Sequence, residues 1–359
     1  MRIAWYISGH GYGHIVRSCV VLNALPPEIE VWVVGDANSD YLARQLRRPY
    51  QHRVTALDIG VIQPDGLTVD LRGTWTALSR LDERRDQQAD AEAEWLGSQR
   101  IDRVFVDIPP LACVAARRAG IPAWVVSNFT WDDIYREYAR FHPDFGVAAE
   151  KATADYALAD GLFELPFHTE MPAFRVRRSF GLVARRSRLG REEARRRLGW
   201  EGRRWVLISF GGLGIGKIAP ARWKTPEGWG VVATEEAPGQ DVWPLDAARM
   251  QAFGLEYPDL VAAVDAVMTK PGYGIVSECL AHRTPMIFVD RGPFAEYPRL
   301  VEGIEKHLVS YHIQRDRLLR GDLIPALEHV AQATAPSAAM LNILTEDEIR
   351  QSLDPALSG

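Results

Sequence analysis

Cysteine is scarce in this chain: three in 359 residues, at Cys19, Cys113 and Cys279. They are widely spaced and each lies in an apolar, helix-like context, which reads as buried free thiols rather than disulfides. No Cys/His spacing resembles a zinc site. Long apolar runs are missing too, and none approaches the roughly 20 residues of a membrane span. The chain starts directly in an apolar strand at residues 1–7, with no charged-then-apolar leader, so a cytoplasmic protein is expected. Net charge is only −5, so nothing global favours nucleic acid. What is present is ordinary for a globular protein: 47% hydrophobic and 25% charged residues, with length for roughly two domains.

Glycine-rich turns are the informative feature. Ala266-Val267-Met268 reads as a buried strand, and Ile275, Val276, Cys279 and Leu280 recur at helical spacing. Between them stands Lys270-Pro271-Gly272-Tyr273-Gly274-Ile275-Val276-Ser277-Glu278. Strand, glycine turn and helix present free backbone N–H groups to an anion. Gly272 and Gly274 let the backbone approach a ligand, Lys270 adds a cation, and Glu278 lies one turn into the helix, in reach of ribose hydroxyls. The alternative is a plain strand-to-helix turn.

The same device opens the chain, where the first strand runs into Gly9-His10-Gly11-Tyr12-Gly13-His14 and a helix over about 15–25. A dinucleotide fingerprint is a poor match, because histidines in the turn would crowd a pyrophosphate. Val104-Phe105-Val106-Asp107 is a strand ending in a carboxylate, and Ala123-Trp124-Val125-Val126 leads into Ser127-Asn128-Phe129-Thr130-Trp131-Asp132. His10, Tyr12, His14, Asp107, Asn128 and Asp132 therefore gather at the carboxyl ends of parallel strands, where open α/β sheets bind ligands. Individually, each could be a helix cap or a satisfied core group. Periodicity also predicts a strand at 54–57 and one charged helix over 76–96.

From 166 to 191 the pattern turns irregular and arginine-rich, which reads as a linker inside 167–190. A second half then repeats the first in outline: an apolar strand at 205–210, a glycine turn starting at Gly211 and Gly212, and later strands at 229–233 and 285–289. The expected fold is α/β, with two Rossmann-like domains facing across a cleft. The expected division is 1–180, 181–335 and a helical tail, 336–359, packing back on the first domain.

Taken as a set, Gly9 to His14, Asn128 to Tyr135, Phe210-Gly211-Gly212, Lys270 to Glu278 and the tract 285–298 resemble the N-terminal, glycosyltransferase-like half of plant-type L-arabinokinases and their bacterial stand-alone relatives. More distantly they resemble GT-B glycosyltransferases, including the N-acetylglucosaminyltransferase that forms lipid II. The resemblance covers nearly the whole chain. The kinase half is absent from the 359 residues, so sugar phosphorylation is not implied. The plant glucosyltransferases carry His-Cys-Gly or His-Gly-Gly where this chain has Lys270-Pro271-Gly272.

The resemblance implies an inverting, metal-independent transfer from a nucleoside diphosphate sugar, with a UDP-sugar the expected donor, to a small-molecule acceptor. It implies donor contacts from Gly211, Gly212, Lys270, Gly272, Tyr273, Gly274, Ser277, Glu278 (on the ribose) and Glu296 (on the sugar). His14 matches the family histidine, with Asp107 the candidate partner, and the acceptor side falls to His10, Tyr12, Asn128 and Asp132. No cofactor is expected beyond the co-substrate, and no metal: the chain has no Asp-x-Asp tripeptide. The sequence alone does not choose between His10 and His14 as base. A nucleotide-sugar epimerase of the same fold and a non-catalytic nucleotide-sugar-binding protein are the alternatives.

Overall fold

The computed structural model describes residues 1–211, 222–234, 242–338 and 341–358. The first half contributes seven strands: β1 (Arg2–Ile7), β2 (Glu30–Val34), β3 (Gln51–Arg53), β4 (Arg103–Asp107), β5 (Ala123–Ser127), β6 (Gly161–Glu164) and β7 (Arg177–Ser179). They form a parallel sheet in the order β3-β2-β1-β4-β5-β6-β7. The second half contributes β8 (Arg204–Ile208), β9 (Trp229–Ala233), β10 (Val242–Pro244), β11 (Ala266–Thr269), β12 (Met286–Phe288) and β13 (Ser310–His312). Their order, β10-β9-β8-β11-β12-β13, repeats the first pattern.

The central strands read as continuous apolar runs because helices cover both faces. In β1, Ile3, Trp5 and Ile7 join one buried cluster, while Ala4 and Tyr6 join another. Trp5 stacks on Phe105 of β4 at 5.0 Å. Register pairs Ile7 with Asp107 and Ile208 with Met268. The carboxyl ends of β1 and β4, and of β8 and β11, thus lie side by side where each strand order reverses. Such reversal points are the crevices where doubly wound sheets hold ligands.

Three expectations shift. The strand predicted at 54–57 lies at Gln51–Arg53, where it pairs with β2. The helix predicted over 76–96 is two helices, Leu71–Asp82 and Arg85–Ser98. The first starts early because the Asp70 carboxylate caps Gly73 N–H at 2.8 Å. The edge strands β7, β10 and β13 were not anticipated, being three residues each, too short to show a period.

The helix Tyr12–Ala24, which follows β1, meets the helix Tyr273–His282, which follows β11. A Cβ added at Gly274 would come within 3.6 Å of Gly13 Cα, so the two glycine turns touch. Near the carboxyl terminus, Leu182 pairs with Ile343 in an isolated parallel bridge. The helix Glu346–Leu357 then lies against Tyr12–Ala24. Arg350 Nε donates to Ala24 O at 2.5 Å, and Arg103 Nε to Ala356 O at 3.1 Å.

Candidate active site

The helix Tyr12–Ala24 places His14, Arg17 and Ser18 on one face, at i, i+3 and i+4. All three aim at Asp107, the last residue of β4. His14 Nδ1 stands 2.8 Å from Asp107 Oδ1, while Arg17 Nε and Ser18 Oγ each donate to Oδ2 at 2.8 Å. Arg17 Nη2 donates to Oδ1 as well. The carboxylate therefore accepts four bonds while only 1% exposed. With Arg17 and His14 both against it, its pKa falls well below the usual carboxylate range even though burial opposes ionisation. The next residue, Ile108, has φ 82°, a genuine outlier for a β-branched side chain, so the chain leaves β4 under strain.

The protons can be assigned from these partners. An ionised Asp107 only accepts, so His14 carries its proton on Nδ1. Among the described residues nothing bonds His14 Nε2, and His14 lines the cleft. Burial first, and then Arg17, lower the proton affinity of His14; Asp107 pulls the other way, and the net direction is down. A neutral imidazole with a free Nε2 is a base. His10 is the opposite case. Its Nδ1 accepts the backbone N–H of Val61 at 3.2 Å, so its own proton sits on Nε2. Burial, His14, Arg291 and Lys270 all hold its pKa well below the ordinary value. His10 is thus a neutral hydrogen-bond donor.

The network continues across the cleft. Arg17 Nη1 donates to Asn128 Oδ1 at 2.6 Å, and Asn128 Nδ2 donates to Glu296 Oε2 at 3.0 Å. Glu296 Oε1 in turn accepts from Arg291. Asn128 and Glu296 are 0% and 2% exposed, so both oxygens of Glu296 are committed to protein groups in a dry setting.

On the far wall, Lys270, Gly272, Tyr273, Gly274 and Glu278 line a cavity of about 1510 Å³ shared with His10, Tyr12 and His14. Gly272 is the N-cap of Tyr273–His282, and among the described residues no side chain caps the first N–H groups of that helix. Gly211 lines the cavity with φ 72°, a conformation that favours glycine. Gly212 and the rest of that turn lie outside the described residues. Glu278 is 1% exposed and pairs with Arg185, which reaches Gln45 of the first half through Nη1 at 2.7 Å.

Three predicted residues stand elsewhere. Ser277 is buried in the helix, its hydroxyl donating to Gly274 O at 2.9 Å. Asp132 turns away from the cleft to accept from Thr153 Oγ1 at 2.9 Å and Arg136 at 3.3 Å. Asn128 lies beneath the cavity wall, between Arg17 and Glu296. Tyr12 is 37% exposed and stacks on Tyr41 at 4.3 Å.

Comparison with known proteins bears on the fold. No protein-family model matches the chain. It is 34% identical over 342 residues to an L-arabinokinase from Arabidopsis thaliana, covering 90% of this chain and 32% of that protein. The chain thus spans about a third of that relative's length. Among solved structures, it resembles CalG4, the calicheamicin glycosyltransferase (TM-score 0.59, 16% identity, 100% of this chain and 94% of that one). It also resembles Phytolacca americana UGT2 complexed with UDP-2fluoro-glucose and pterostilbene (0.59, 13%, 99% and 94%). A protein described as a UDP-N-acetylglucosamine 2-epimerase from Listeria monocytogenes scores 0.56 at 13% identity, covering 99% of this chain and 96% of that one. The fold is GT-B.

Within this GT-B frame, four charged residues of the cleft escaped the sequence reading. Arg17 had a signal, since it shares a helical face with His14. Arg185 sat in an arginine-rich tract that read as a solvated linker. Arg291 lies beside Glu296 in sequence, and its guanidinium stacks 4.1 Å from the Phe294 ring centroid. Asp58, just before a long loop, accepts from Trp131 Nε1 at 2.7 Å, and burial pushes its pKa up to about 7. Among the described residues no group of three His, Cys, Asp or Glu side chains is placed to hold a metal, and no helix is long and apolar enough to cross a membrane.

Proposed function

We propose that this protein transfers a sugar, with inversion and without a metal, from a nucleoside diphosphate sugar to the hydroxyl of a small-molecule acceptor. A UDP-sugar is the preferred donor class, since UDP-2fluoro-glucose is bound by a neighbour of the same fold. One observation carries the reading: His14, its Nδ1 turned to Asp107 at 2.8 Å, faces a cavity whose opposite wall is the Lys270–Gly274 turn. His14 Nε2 takes the acceptor proton while the acceptor oxygen bonds to the anomeric carbon. The bond from that carbon to the diphosphate breaks, and its electron pair goes to the leaving phosphate oxygen. Free N–H groups at the Tyr273–His282 N-terminus and the Lys270 ammonium stabilise the charge that develops there. The two halves hold donor and acceptor together and exclude water. His10, a neutral donor near Lys270 and Arg291, serves binding rather than proton removal. We assign the acceptor side to 1–180, the donor side to 181–335, and to the tail 336–359 the bracing of the first half.

The epimerase neighbour keeps a second reading in view: the same donor pocket with no acceptor. One experiment separates them. Purified protein is incubated with UDP-sugars, with and without a panel of hydroxylated acceptors, plus chelator, and products are followed by NMR. Transfer predicts UDP release and a β-linked product from an α-linked donor, only with acceptor present. A changed sugar epimer without acceptor supports the second reading, and failure of every nucleoside diphosphate to bind would sink both.

A further inference from the structure

We propose that Arg17 is the positioning residue of this site: it fixes the Asp107 carboxylate against His14 and joins both to the second half of the molecule. The proposal rests on the reading of His14 as the base, but its deciding readout is a titration and not turnover.

Arg17 is 4% exposed, and four of its five N–H donors bond to groups of the site. Nε and Nη2 hold Asp107, Nη1 holds Asn128 at 2.6 Å, and Nη2 also reaches Ser127 Oγ at 3.2 Å. With both Nη2 protons so used, the 2.9 Å approach of Nη2 to His14 Nδ1 is a contact of charge, not a further hydrogen bond. Lysine could not make this fork, because an ammonium is a point charge without planar, divergent N–H groups.

The charge balance follows. A histidine paired with a lone carboxylate gains proton affinity, because the imidazolium it forms is attracted to the anion. Here the anion is already neutralised by a guanidinium in the same dry space. The groups facing His14 are Arg17 on its own helix, Asp107 at the end of β4, Glu296 on the second half and His10 in its own turn. The Phe129 ring, 5.7 Å away, completes its surroundings. Burial is the first cause that keeps its lone pair free, and Arg17, 2.9 Å from Nδ1 through Nη2, adds to it by offsetting the pull of Asp107.

The same side chain stands between two aromatic rings from opposite halves, with Cζ 6.0 Å from Phe129 and 5.5 Å from Tyr273. Tyr273 is the first residue of the helix whose N-terminus faces the donor side, and Asn128 carries the link on to Glu296. The seat of Arg17 is therefore complete only when the two halves are together. Its grip on Asp107 ties the geometry of the base to that state.

The experiment is a pH titration of the imidazoles by long-range 1H–15N NMR on 15N-histidine-labelled full chain, with His14 assigned by His14→Gln. In wild type, His14 is expected to hold its proton on Nδ1 and to stay neutral below pH 6.5. Arg17→Gln should raise its titration point by about one pH unit or more, as expected for losing a like charge within about 4–6 Å. Arg17→Lys should keep the point close to wild type while the acid limb of turnover stays in place and kcat falls. A wild-type His14 that protonates above pH 6.5 would overturn the proposal without any variant, which matters if Arg17→Gln does not fold. An unchanged titration in folded Arg17→Gln would overturn it too. Retained turnover in His14→Ala would instead strike the functional reading and leave the titration result intact.

Discussion

Between β1 and β4 the first half is filled with buried polar and charged groups: His14, Arg17, Asp107 and, one strand further, Asn128. The equivalent reversal between β8 and β11 is furnished with backbone and glycine: Gly211, Gly272 and Gly274, with Lys270 at the rim. The strand order is the same in both halves, so the contrast lies in what each pair of strand ends carries. The first is a hydrogen-bonded cluster in which His14 Nδ1 is turned to Asp107 and Nε2 is left open, so a proton can have one defined place. The second leaves helix N–H groups facing an open cavity, suited to a group that arrives with negative charge. A scaffold used twice can therefore divide labour, fixed proton chemistry on one wall and anion binding on the other.

Removing the base should break that division most severely. His14→Ala is expected to lower turnover by a factor of about 10²–10⁴, the usual contribution of a general base, as measured by steady-state product formation. His10→Ala, whose Nδ1 is occupied by Val61 N–H, should retain more turnover than His14→Ala. Asp107→Asn should combine a smaller rate loss with lost stability, because it leaves the buried Arg17 cation without its anion. Breaking such a pair from one side costs about 3–5 kcal/mol, readable by denaturant unfolding. On the opposite wall, Lys270→Ala should weaken nucleoside diphosphate binding by roughly 10–100-fold in calorimetry, the loss of a charge-assisted bond of about 1.5–3 kcal/mol.

The pH dependence sharpens the same contrast. Burial lowers the proton affinity of His14, so the acid limb of kcat/KM should fall below pH 6.5, the ordinary histidine value. The smallest effect belongs to Asp58, whose folded pKa is raised by burial to about 7 from 3.8. A carboxyl shifted upward stabilises fully below its unfolded pKa, and that contribution is lost as pH rises through the folded value. Asp58→Asn keeps an acceptor for Trp131 Nε1 and removes the ionisation. Its melting temperature should exceed that of wild type by a few degrees at pH 8, and the gain should shrink as pH falls toward 4.

The doubled strand–glycine–helix device was legible in sequence because apolar period, glycine and strand length agree at 1–15 and 266–280. His14 and Asp107 were legible because one lies just inside the helix that follows β1 and the other ends β4, and chain order in an open α/β sheet brings those carboxyl ends together. The edge strands β7, β10 and β13 were not, since three residues are too few to show an alternation. Asp132 misled because a polar residue at a helix start looks the same whether it faces a cleft or a neighbouring helix; the direction is set by Thr153 and Arg136, which are distant in sequence. Ser277 has the same ambiguity within its own helix. Arg17 and Arg185 show a different limit: an arginine reads as surface until the fold supplies a buried carboxylate for it, Asp107 for one and Glu278 for the other. Glu278 was read as a ribose acceptor, and its pairing with Arg185 means that a ribose must share that carboxylate or displace the arginine.

The division between the walls can be tested in one calorimetric series, with UDP titrated into wild type, His14→Ala and Lys270→Ala under identical conditions. His14→Ala is expected to bind with near wild-type affinity and Lys270→Ala at least about tenfold more weakly. Loss of UDP binding in His14→Ala with affinity retained in Lys270→Ala would place the nucleotide on the first wall and contradict the assignment of the two halves.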